Sequence, residues 1–251
     1  DELFLVYQPT FELQTGKTVG TEALLRWRHP THGVIQPDAF IPIAEESGLI
    51  VAIGQWVLQQ ACRQTAIWHA EGHPIGISVN VSGRQLDRDG LIDEVRDALQ
   101  DTGLEPSALT LEITETALMR DADATARRLV ALKDLGVSIA IDDFGTGYSS
   151  LAYLRQFPVD ALKIDRSFIE GVASSAESSA LLHTLVGLGK TLHLKTLAEG
   201  IENDAQLTEL QDQQCDQGQG FLYARPLDAE GITEFLSSNP AHPVLVEDHS
   251  V

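Results

Sequence analysis

The feature that most constrains this chain is the regular alternation of strand-like and helix-like segments along its 251 residues. Runs of four to eight β-branched and apolar residues predict strands. These strands cover residues 4–9, 21–27, 76–82, 109–115, 137–144, 161–168, 194–200 and, with the weakest pattern, 216–221. Helical periodicity fills most of the intervals. The predicted helices lie at 49–70 and near 91–100, 122–135, 178–193 and 204–213.

This alternation predicts an α/β fold of the (β/α)8 TIM barrel type, because a doubly wound sheet usually closes fewer units. The start of the chain departs from the repeat, since a Gly-containing turn region at 14–20, and no helix, joins the first two strands. We therefore expect an atypical first strand, with an antiparallel orientation as one option. No linker composition divides the middle of the chain. We predict one barrel over residues 1–236, with two small domains as the alternative, and a poorly ordered tail over 237–251.

The chain is strongly acidic, with 37 Asp and Glu residues against 17 Lys and Arg and a formal net charge of −20. Such a charge repels a duplex phosphate backbone, so sequence-independent binding of DNA or RNA is disfavoured. An anionic ligand would need cations in order to bind. Most of the acidic residues are explained by surface solubility, and the informative ones are those within strands.

The cysteine content and the hydropathy of the chain indicate the kind of cellular compartment in which it functions. Cys62 and Cys215 provide neither a disulfide framework nor a thiolate zinc site, which is compatible with a reducing compartment. The longest purely apolar stretch, residues 49–53, falls far short of the roughly 20 residues that span a bilayer. No basic-then-apolar leader opens the chain. We expect a soluble, cytoplasmic domain cut from a longer protein, in which a membrane anchor or sensor could lie outside this segment.

Carboxylates occur inside or at the ends of apolar strands, where an unpaired charge is costly. They are Glu22, Glu112, Asp142, Asp143 and Glu199. The strand ends of a barrel converge on one mouth, so these side chains can meet there. Hard divalent cations such as Mg²⁺ or Mn²⁺ would relieve the repulsion and prefer oxygen ligands, among which the amide oxygen of Asn80 is acceptable.

Asp142 and Asp143 are adjacent, so their side chains start on opposite faces of the strand and can address different partners. One could bridge two metal ions while the other completes one of them, an arrangement suited to in-line attack on a phosphodiester. Lys163 is a strand cation that would orient water or stabilise developing charge. The alternatives are that each acid is a helix cap or salt-bridge partner, that Asp-Asp-Phe-Gly is a turn, and that Lys163 is structural.

Eight short motifs occur in order along the chain. They are TEALLRW (21–27), FIPIAEESGLI (40–50), SVNVS (78–82), LEITE (111–115), DDFGTGYSSL (142–151), LKID (162–165), AEGIE (198–202) and QGF (219–221). With YQP at 7–9 and Arg-Pro at 225–226, they resemble the EAL domain family of cyclic di-GMP phosphodiesterases over nearly the whole chain. Its naming tripeptide is Glu22-Ala23-Leu24. The deviations are mild: Phe221 stands where Tyr is frequent, and Ile201 where Val is frequent.

The resemblance implies roles for individual residues. One metal ion is bound by Glu22, Asn80, Glu112 and Asp142. The second ion is bound by Asp142, Asp143 and Glu199. The catalytic residues are Lys163, Glu199, Glu22 and Asp142. Among them, Lys163 and Glu199 position or deprotonate the attacking water. Arg26 touches a phosphate and Gln219 lies near the metal-bound waters, while Gln8 and Pro226 line the substrate groove.

The stretch DFGTGYSS matches the family's mobile loop beside the metals, in which Gly145 and Gly147 permit unusual backbone conformations. Glu115 matches the glutamate that steadies this loop. The resemblance also implies a homodimer formed near this region and fusion to sensor, regulatory or GGDEF domains in the full-length protein. No GGDEF-type signature occurs in this chain.

The expected function is metal-dependent hydrolysis of cyclic di-GMP to linear pGpG with two Mg²⁺ or Mn²⁺ ions, which lowers this second messenger in bacterial signalling. No metal-ligand position departs from the family pattern, and this favours catalysis. One alternative is a catalytically silent receptor for the same dinucleotide. The other is an unrelated metal-dependent barrel enzyme, since fold does not fix function.

Overall fold

The first two strands form a long antiparallel hairpin. Strand β1 (Leu3–Glu12) pairs with β2 (Thr18–His29), and Gln8 lies opposite Glu22 in that register. A short strand β3 (Gly33–Ile35) extends β2 as a second hairpin. The antiparallel orientation of β1 confirms the atypical start that the turn region predicted. The computed structural model describes residues 2–146 and 154–238.

The remaining strands run parallel to β2 and close the barrel. They are β4 (Gly76–Asn80), β5 (Leu109–Thr114), β6 (Ser138–Phe144), β7 (Ala161–Ile164), β8 (Lys195–Ala198) and β9 (Gln217–Gly218). Strand β1 pairs with β2 on one side and with β9 on the other, so eight strands form a ring and β3 stays outside it. The predicted (β/α)8-type barrel is confirmed.

Helices surround the ring. They are α1 (Pro37–Ser47), α2 (Ile50–Ala70), α3 (Gly83–Leu86), α4 (Gly90–Thr102), α5 (Glu115–Leu118), α6 (Ala122–Lys133), α7 (Ala176–Leu192), α8 (Asp204–Asp212) and α9 (Ala229–Ser237). The sequence patterns predicted α2, α4, α6, α7 and α8. They did not predict α1, whose interior Pro42 weakens the helical signal, or the short helices.

The core lies between the strands and the helices. Outward side chains such as Ile77 and Leu111 are buried against the helical layer, where Ala61, Cys62 and Trp68 are fully buried. Full burial of a large apolar side chain stabilises the fold by about 1.5–3 kcal/mol. Because the outward strand residues pack against the helices and form the core there, the inward positions of the strands are free to carry polar groups.

Several predicted strands are shorter in the structure, and β7, β8 and β9 differ most from the prediction. Strand β7 ends at Ile164 because the side chain of Asp165 accepts a hydrogen bond from the Ser167 amide and starts a 3₁₀ turn (Arg166–Phe168). The weakest predicted strand, 216–221, is reduced to the two residues of β9. The proposed start of the tail at 237 coincides with the end of α9, and residues 239–251 and Gly147 lie outside the described residues.

Cys62 and Cys215 are both buried and unpaired. Burial raises the pKa of the Cys62 thiol to about 12 and that of the Cys215 thiol to about 11. Both side chains therefore act as small core residues. In the part of the chain that the structure describes, no helix is long and apolar enough to cross a membrane.

Candidate functional site

A cluster of acidic side chains surrounds one buried ammonium group at the carboxyl ends of the parallel strands. Glu22 lies on β2, Glu112 on β5 and Asp142 on β6, while Lys163 lies on β7 and Glu199 directly follows β8. Strand alternation turns these side chains into the barrel. Residues that are up to 177 positions apart in the sequence therefore meet at one mouth, as the barrel prediction required.

Lys163 is the centre of this cluster and is 1% exposed. Its Nζ lies 2.6 Å from Glu112 Oε2 and 2.7 Å from Glu199 Oε1. The same atom lies 3.1 Å from Asp142 Oδ1 and 3.5 Å from Glu22 Oε2. A buried lysine is stable as a cation only when anions surround it, and these contacts provide that environment.

Two side-chain amides orient Glu22. Asn80 Nδ2 donates to Glu22 Oε1 at 2.7 Å, and Gln219 Nε2 donates to Glu22 Oε2 at 2.7 Å. Gln219 Nε2 also lies 3.3 Å from Glu199 Oε1, while its own Oε1 accepts from Thr10 Oγ1 at 3.4 Å. Both carboxylate oxygens of Glu22 are thus held in place by charge-assisted hydrogen bonds.

Asp143 has a left-handed backbone conformation, with φ at +54°. The pairing of β6 with β7 is interrupted between Ile141 and Phe144, which allows this local turn. Regular strand alternation would send the Asp143 side chain away from that of Asp142. Instead, one oxygen each from Asp142, Asp143 and Glu199 lie within 4.8 Å of one another. A strained residue beside grouped carboxylates is a common mark of a functional site.

The pKa values of the cluster differ from their ordinary ranges. Burial, and then the neighbouring Glu22, raises the pKa of Glu112 well above its usual value. Burial also raises the pKa of Glu199 to about 7. Glu22 behaves oppositely: burial opposes its ionisation, but Lys163 and the two amides outweigh burial and lower the pKa.

Lys163 keeps its proton throughout. Burial opposes its charge, yet Glu112, Glu22, Glu199 and Asp142 raise its pKa well above the ordinary value. Burial, then Asp142, raises the pKa of Asp143. Burial and the neighbouring carboxylates thus raise the pKa values of Glu112, Asp143 and Glu199, which favours the binding of a further cation.

The donor set fits divalent metal ions. When ionised, the five acidic side chains carry one negative charge each, and the positive charge of Lys163 offsets one of these five charges. The remaining four charges equal those of two divalent cations. All the donors are carboxylate or amide oxygens, which Mg²⁺ and Mn²⁺ prefer. The grouped oxygens of Asp142, Asp143 and Glu199 are the most direct indication of such a site.

A cavity of about 610 Å³ opens beside the cluster and is called the upper cavity below. Asn80, Asp142 and Asp143 line its inner end. Its walls include Leu24 of β2 and residues from α1, α2 and α5. A volume of this size accommodates a nucleotide-sized ligand.

Some residues of this cavity were absent from the sequence prediction. They are Asp38, Ile41, Glu45 and Arg120. The first three belong to α1, and the signal that could have placed them there is Pro37 at the first helical turn followed by buried Phe40 and Ala44 four residues apart. Arg120 follows a short helix and carries no comparable pattern.

Two further predicted site residues, Gln8 and Pro226, lie on or beside β1. Gln8 is buried and donates to the Ala224 carbonyl at 3.3 Å. Pro226 precedes Leu227, whose backbone pairs with Tyr7, and therefore lies beside β1. Neither Gln8 nor Pro226 lines the upper cavity.

Arg26 lies four residues beyond Glu22 on β2 and is half-buried. Its Nη1 donates to the Leu25 carbonyl at 2.8 Å, and it does not line the upper cavity. Burial lowers the pKa of Arg26, while Glu22 and Asp38 counteract that shift. The residue therefore lies within electrostatic range of the acidic cluster.

Glu115 contacts the start of the segment that follows β6. Its side chain is buried, and its Oε2 accepts a hydrogen bond from the Gly145 amide at 3.2 Å. Gly145 has φ at +96°, and a Cβ there would lie 2.9 Å from the Phe168 ring. Glycine is therefore required at position 145, both because of the positive φ and because a Cβ would be too close to Phe168.

Comparison with protein-family models matches residues 1–226 to the EAL domain. A curated relative from Pseudomonas aeruginosa, the bifunctional diguanylate cyclase/cyclic di-GMP phosphodiesterase MucR, is 51% identical over 232 residues, covering 92% of this chain and 34% of the relative. Cyclic di-GMP phosphodiesterase NbdA of the same organism is 47% identical over 237 residues, covering 94% of this chain and 30% of the relative. The chain thus spans about a third of the length of these relatives.

A solved structure, described as the MucR phosphodiesterase in complex with c-di-GMP, is 50% identical in sequence. It superimposes with a TM-score of 0.89, covering 92% of this chain and 94% of that chain. The similarity therefore extends over the barrel and over every strand that carries the acidic cluster.

Proposed function

Because this chain belongs to the EAL domain family, we propose that it hydrolyses cyclic di-GMP to linear pGpG in a metal-dependent reaction. The observation that supports this most strongly is the cluster of Lys163 with four acidic side chains at the barrel mouth, of which Asp142 lines the upper cavity. The relatives named as cyclic di-GMP phosphodiesterases and the neighbour described with this dinucleotide support the same substrate.

We further propose that two ions, Mg²⁺ or Mn²⁺, are held by the acidic cluster. Glu22, Asn80, Glu112 and Asp142 would hold one of them. Asp142, Asp143 and Glu199 would hold the other, which agrees with their grouped oxygens. When bound, the ions supply a nucleophile at neutral pH and neutralise the charge that develops on the phosphodiester.

Side chains of the acidic cluster, including some that would also hold the ions, carry out the remaining steps. Glu199 Oε1, which lies 2.7 Å from Lys163 Nζ and 3.3 Å from Gln219 Nε2, accepts the proton of the attacking water as the general base. Lys163, 2.7 Å from that oxygen, orients the water and stabilises the negative charge. Glu22 and Asp142 complete the catalytic group, and Glu115 holds the backbone at Gly145 in place.

Substrate contacts follow from positions around the mouth. Arg26 binds a phosphate, because a guanidinium group can form two parallel hydrogen bonds to it. Gln219 lies beside the attacking water through its contacts with Glu22 and Glu199. Gln8 and Pro226 border the groove next to β1. The dimer, the fused domains and the cytoplasmic location stay predictions from the sequence.

The direct test is incubation of the purified chain with cyclic di-GMP and Mg²⁺ or Mn²⁺, followed by chromatography of the nucleotides. We expect linear pGpG to form with either ion and product formation to stop when EDTA removes the metal. Restoration by added Mg²⁺ would show that EDTA acted through the ion. Binding of intact dinucleotide without any product would support the receptor instead, and the absence of binding would support an unrelated enzyme.

Metal affinity is expected to increase with pH. Glu199 has a pKa of about 7 in the metal-free cluster, and an ion binds only its ionised form. One such proton weakens binding about tenfold between about pH 8 and about pH 6. Calorimetric titration with Mg²⁺ at the two pH values measures this difference. In Glu199→Gln the affinity should be lower and should depend less on pH, while an equally steep dependence in that variant would contradict the assignment to Glu199.

A further inference from the structure

A short turn directly after β9 carries an exposed aromatic ring and is called the rim turn below (residues 220–224). The Ala224 amide donates to the Gly220 carbonyl at 3.2 Å and closes this turn. Residues 222–224 are buried, whereas Phe221 is 49% exposed. A single exposed apolar side chain is common on protein surfaces, so the rigidity and the position of this one decide whether it has a function.

The backbone of the rim turn is fixed against the segment that follows β8. The Leu222 amide donates to the Ile201 carbonyl at 2.9 Å, and the Ile201 amide donates to the Gln219 carbonyl at 3.1 Å. A Cβ at Gly220 would lie 2.1 Å from the Ile201 carbonyl oxygen, so only glycine permits this close approach. The backbone position of Phe221 is therefore fixed relative to the acidic cluster.

Phe221 lies close to the acidic cluster, on the side away from the upper cavity. Gln219, two residues earlier, donates to both Glu22 and Glu199. Two residues of chain span at most about 7 Å, so the Phe221 backbone lies within about that distance of the Gln219 backbone. In the ring of eight strands, β8 lies directly opposite β4, whose Asn80 lines the upper cavity. Phe221 and the upper cavity therefore lie on opposite sides of the cluster.

One basic side chain supports the ring of Phe221. Arg225 lies four residues further along the chain, and its Cζ is 4.4 Å from the ring centroid. A guanidinium group is attracted by the negative potential of an aromatic face. This contact orients the ring and covers one of its faces, while the exposed fraction of Phe221 leaves surface for a ligand. An aromatic face beside a cation is suited to stack on a base that lies next to a phosphate.

We propose that Phe221, oriented by Arg225, stacks on one guanine base of cyclic di-GMP. This inference rests on the proposed function. Each phosphate of the cyclic dinucleotide joins two guanosines, so a phosphodiester bound at the acidic cluster has one base on either side of it. The upper cavity receives one base, and the other base lies across the mouth, on the ring of Phe221. The pair thereby selects substrates that carry a second base.

The test compares the steady-state kinetics of the wild type, Phe221→Leu, Phe221→Tyr and Phe221→Trp on cyclic di-GMP with Mg²⁺. Leucine stays apolar but removes the aromatic face, and stacking of one base strengthens binding by about 5- to 150-fold. We expect KM to increase about tenfold in F221L, with a much smaller change in kcat. KM should stay near the wild-type value in F221Y and be no higher in F221W, because both keep a ring. Urea unfolding should be equal in all four proteins, since the side chain is exposed.

Arg225→Gln tests the support of the ring. KM should increase about threefold, less than in F221L, because an exposed cation–π contact contributes about two- to fivefold. The double variant F221L/R225Q should have the KM of F221L, since Arg225 then has no ring to orient. The matched control is Leu181→Ala on α7, where the side chain is 48% exposed, and it should keep the wild-type KM.

A wild-type KM in F221L would overturn the stacking role of Phe221. An equal increase of KM in F221L and F221Y would also overturn it, because tyrosine keeps the aromatic face. If the wild type forms no pGpG, the proposed function fails, and calorimetric titration of the same proteins with cyclic di-GMP and Mg²⁺ decides the stacking separately. An affinity about tenfold lower in F221L than in the wild type and F221Y would support it, whereas equal affinities or no binding would overturn it.

Discussion

Glu22→Ala should abolish hydrolysis of cyclic di-GMP, with a loss of at least about 10³-fold in kcat/KM, while the barrel still folds. Removal of a single preorganised polar contact at a reacting centre already lowers rates by about 10²–10³-fold. Glu22 makes three such contacts, with Lys163, Asn80 and Gln219, and would also be a metal ligand. Steady-state assays with saturating Mg²⁺ or Mn²⁺ measure the loss, and circular dichroism checks the fold.

Folding should survive because the acidic cluster is repulsive. Removing one carboxylate decreases the repulsion around Glu112, whose pKa Glu22 helps to raise. The Asn80 and Gln219 amides lose an acceptor, but water that enters the vacated space can replace it. The matched control is Glu230→Ala, which removes an exposed carboxylate at the start of α9 and should keep full activity. Full activity in Glu22→Ala would contradict the assignment of the first metal site.

Hydrophobic periodicity was sufficient to predict the barrel and the convergence of distant carboxylates. Glu22, Glu112 and Asp142 stand out because apolar strands rarely contain unpaired charges. Their positions on the parallel strands β2, β5 and β6 require them to share a mouth once the ring closes. The positions of the carboxylates in the sequence were therefore enough to predict that their side chains meet at the barrel mouth.

Other features depend on local geometry that no periodicity describes. The left-handed turn at Asp143, which groups it with Asp142 and Glu199, arises from an interruption in strand pairing. The hydrogen bonds of Asn80 and Gln219 to Glu22 depend on side-chain reach across the mouth.

Lys163→Met should strongly destabilise the metal-free protein and abolish hydrolysis. Lys163 is the cation that Glu22, Glu112, Asp142 and Glu199 share, and methionine has a similar volume without the charge. Breaking a buried ion pair by removing one partner costs about 3–5 kcal/mol. Urea unfolding at about pH 8 in EDTA measures the loss of free energy. Lys17→Met, an exposed lysine in the turn after β1, is the control and should unfold like the wild type.

The destabilisation should depend on pH in a defined direction. Lys163 lowers the pKa of Glu22 and opposes the rise at Glu199, so its removal raises the pKa of both groups in the folded protein. A carboxyl group with a raised folded pKa disfavours folding as pH increases from its unfolded pKa to its folded pKa. The difference between variant and wild type should therefore be small near pH 4 and grow through neutral pH.

Metal ions should reverse part of this loss in stability without restoring activity. Mg²⁺ or Mn²⁺ replaces the missing positive charge beside Asp142, Asp143 and Glu199, and binding to the folded state stabilises it. Hydrolysis should stay abolished, because no ion reproduces the Lys163 ammonium group next to the Glu199 oxygen that accepts the proton. If Lys163→Met were as stable as the wild type at about pH 8 without metal, Lys163 would not be the cation that stabilises these carboxylates in the folded protein. If metal restored full turnover, Lys163 would have only the electrostatic role that an ion can take over.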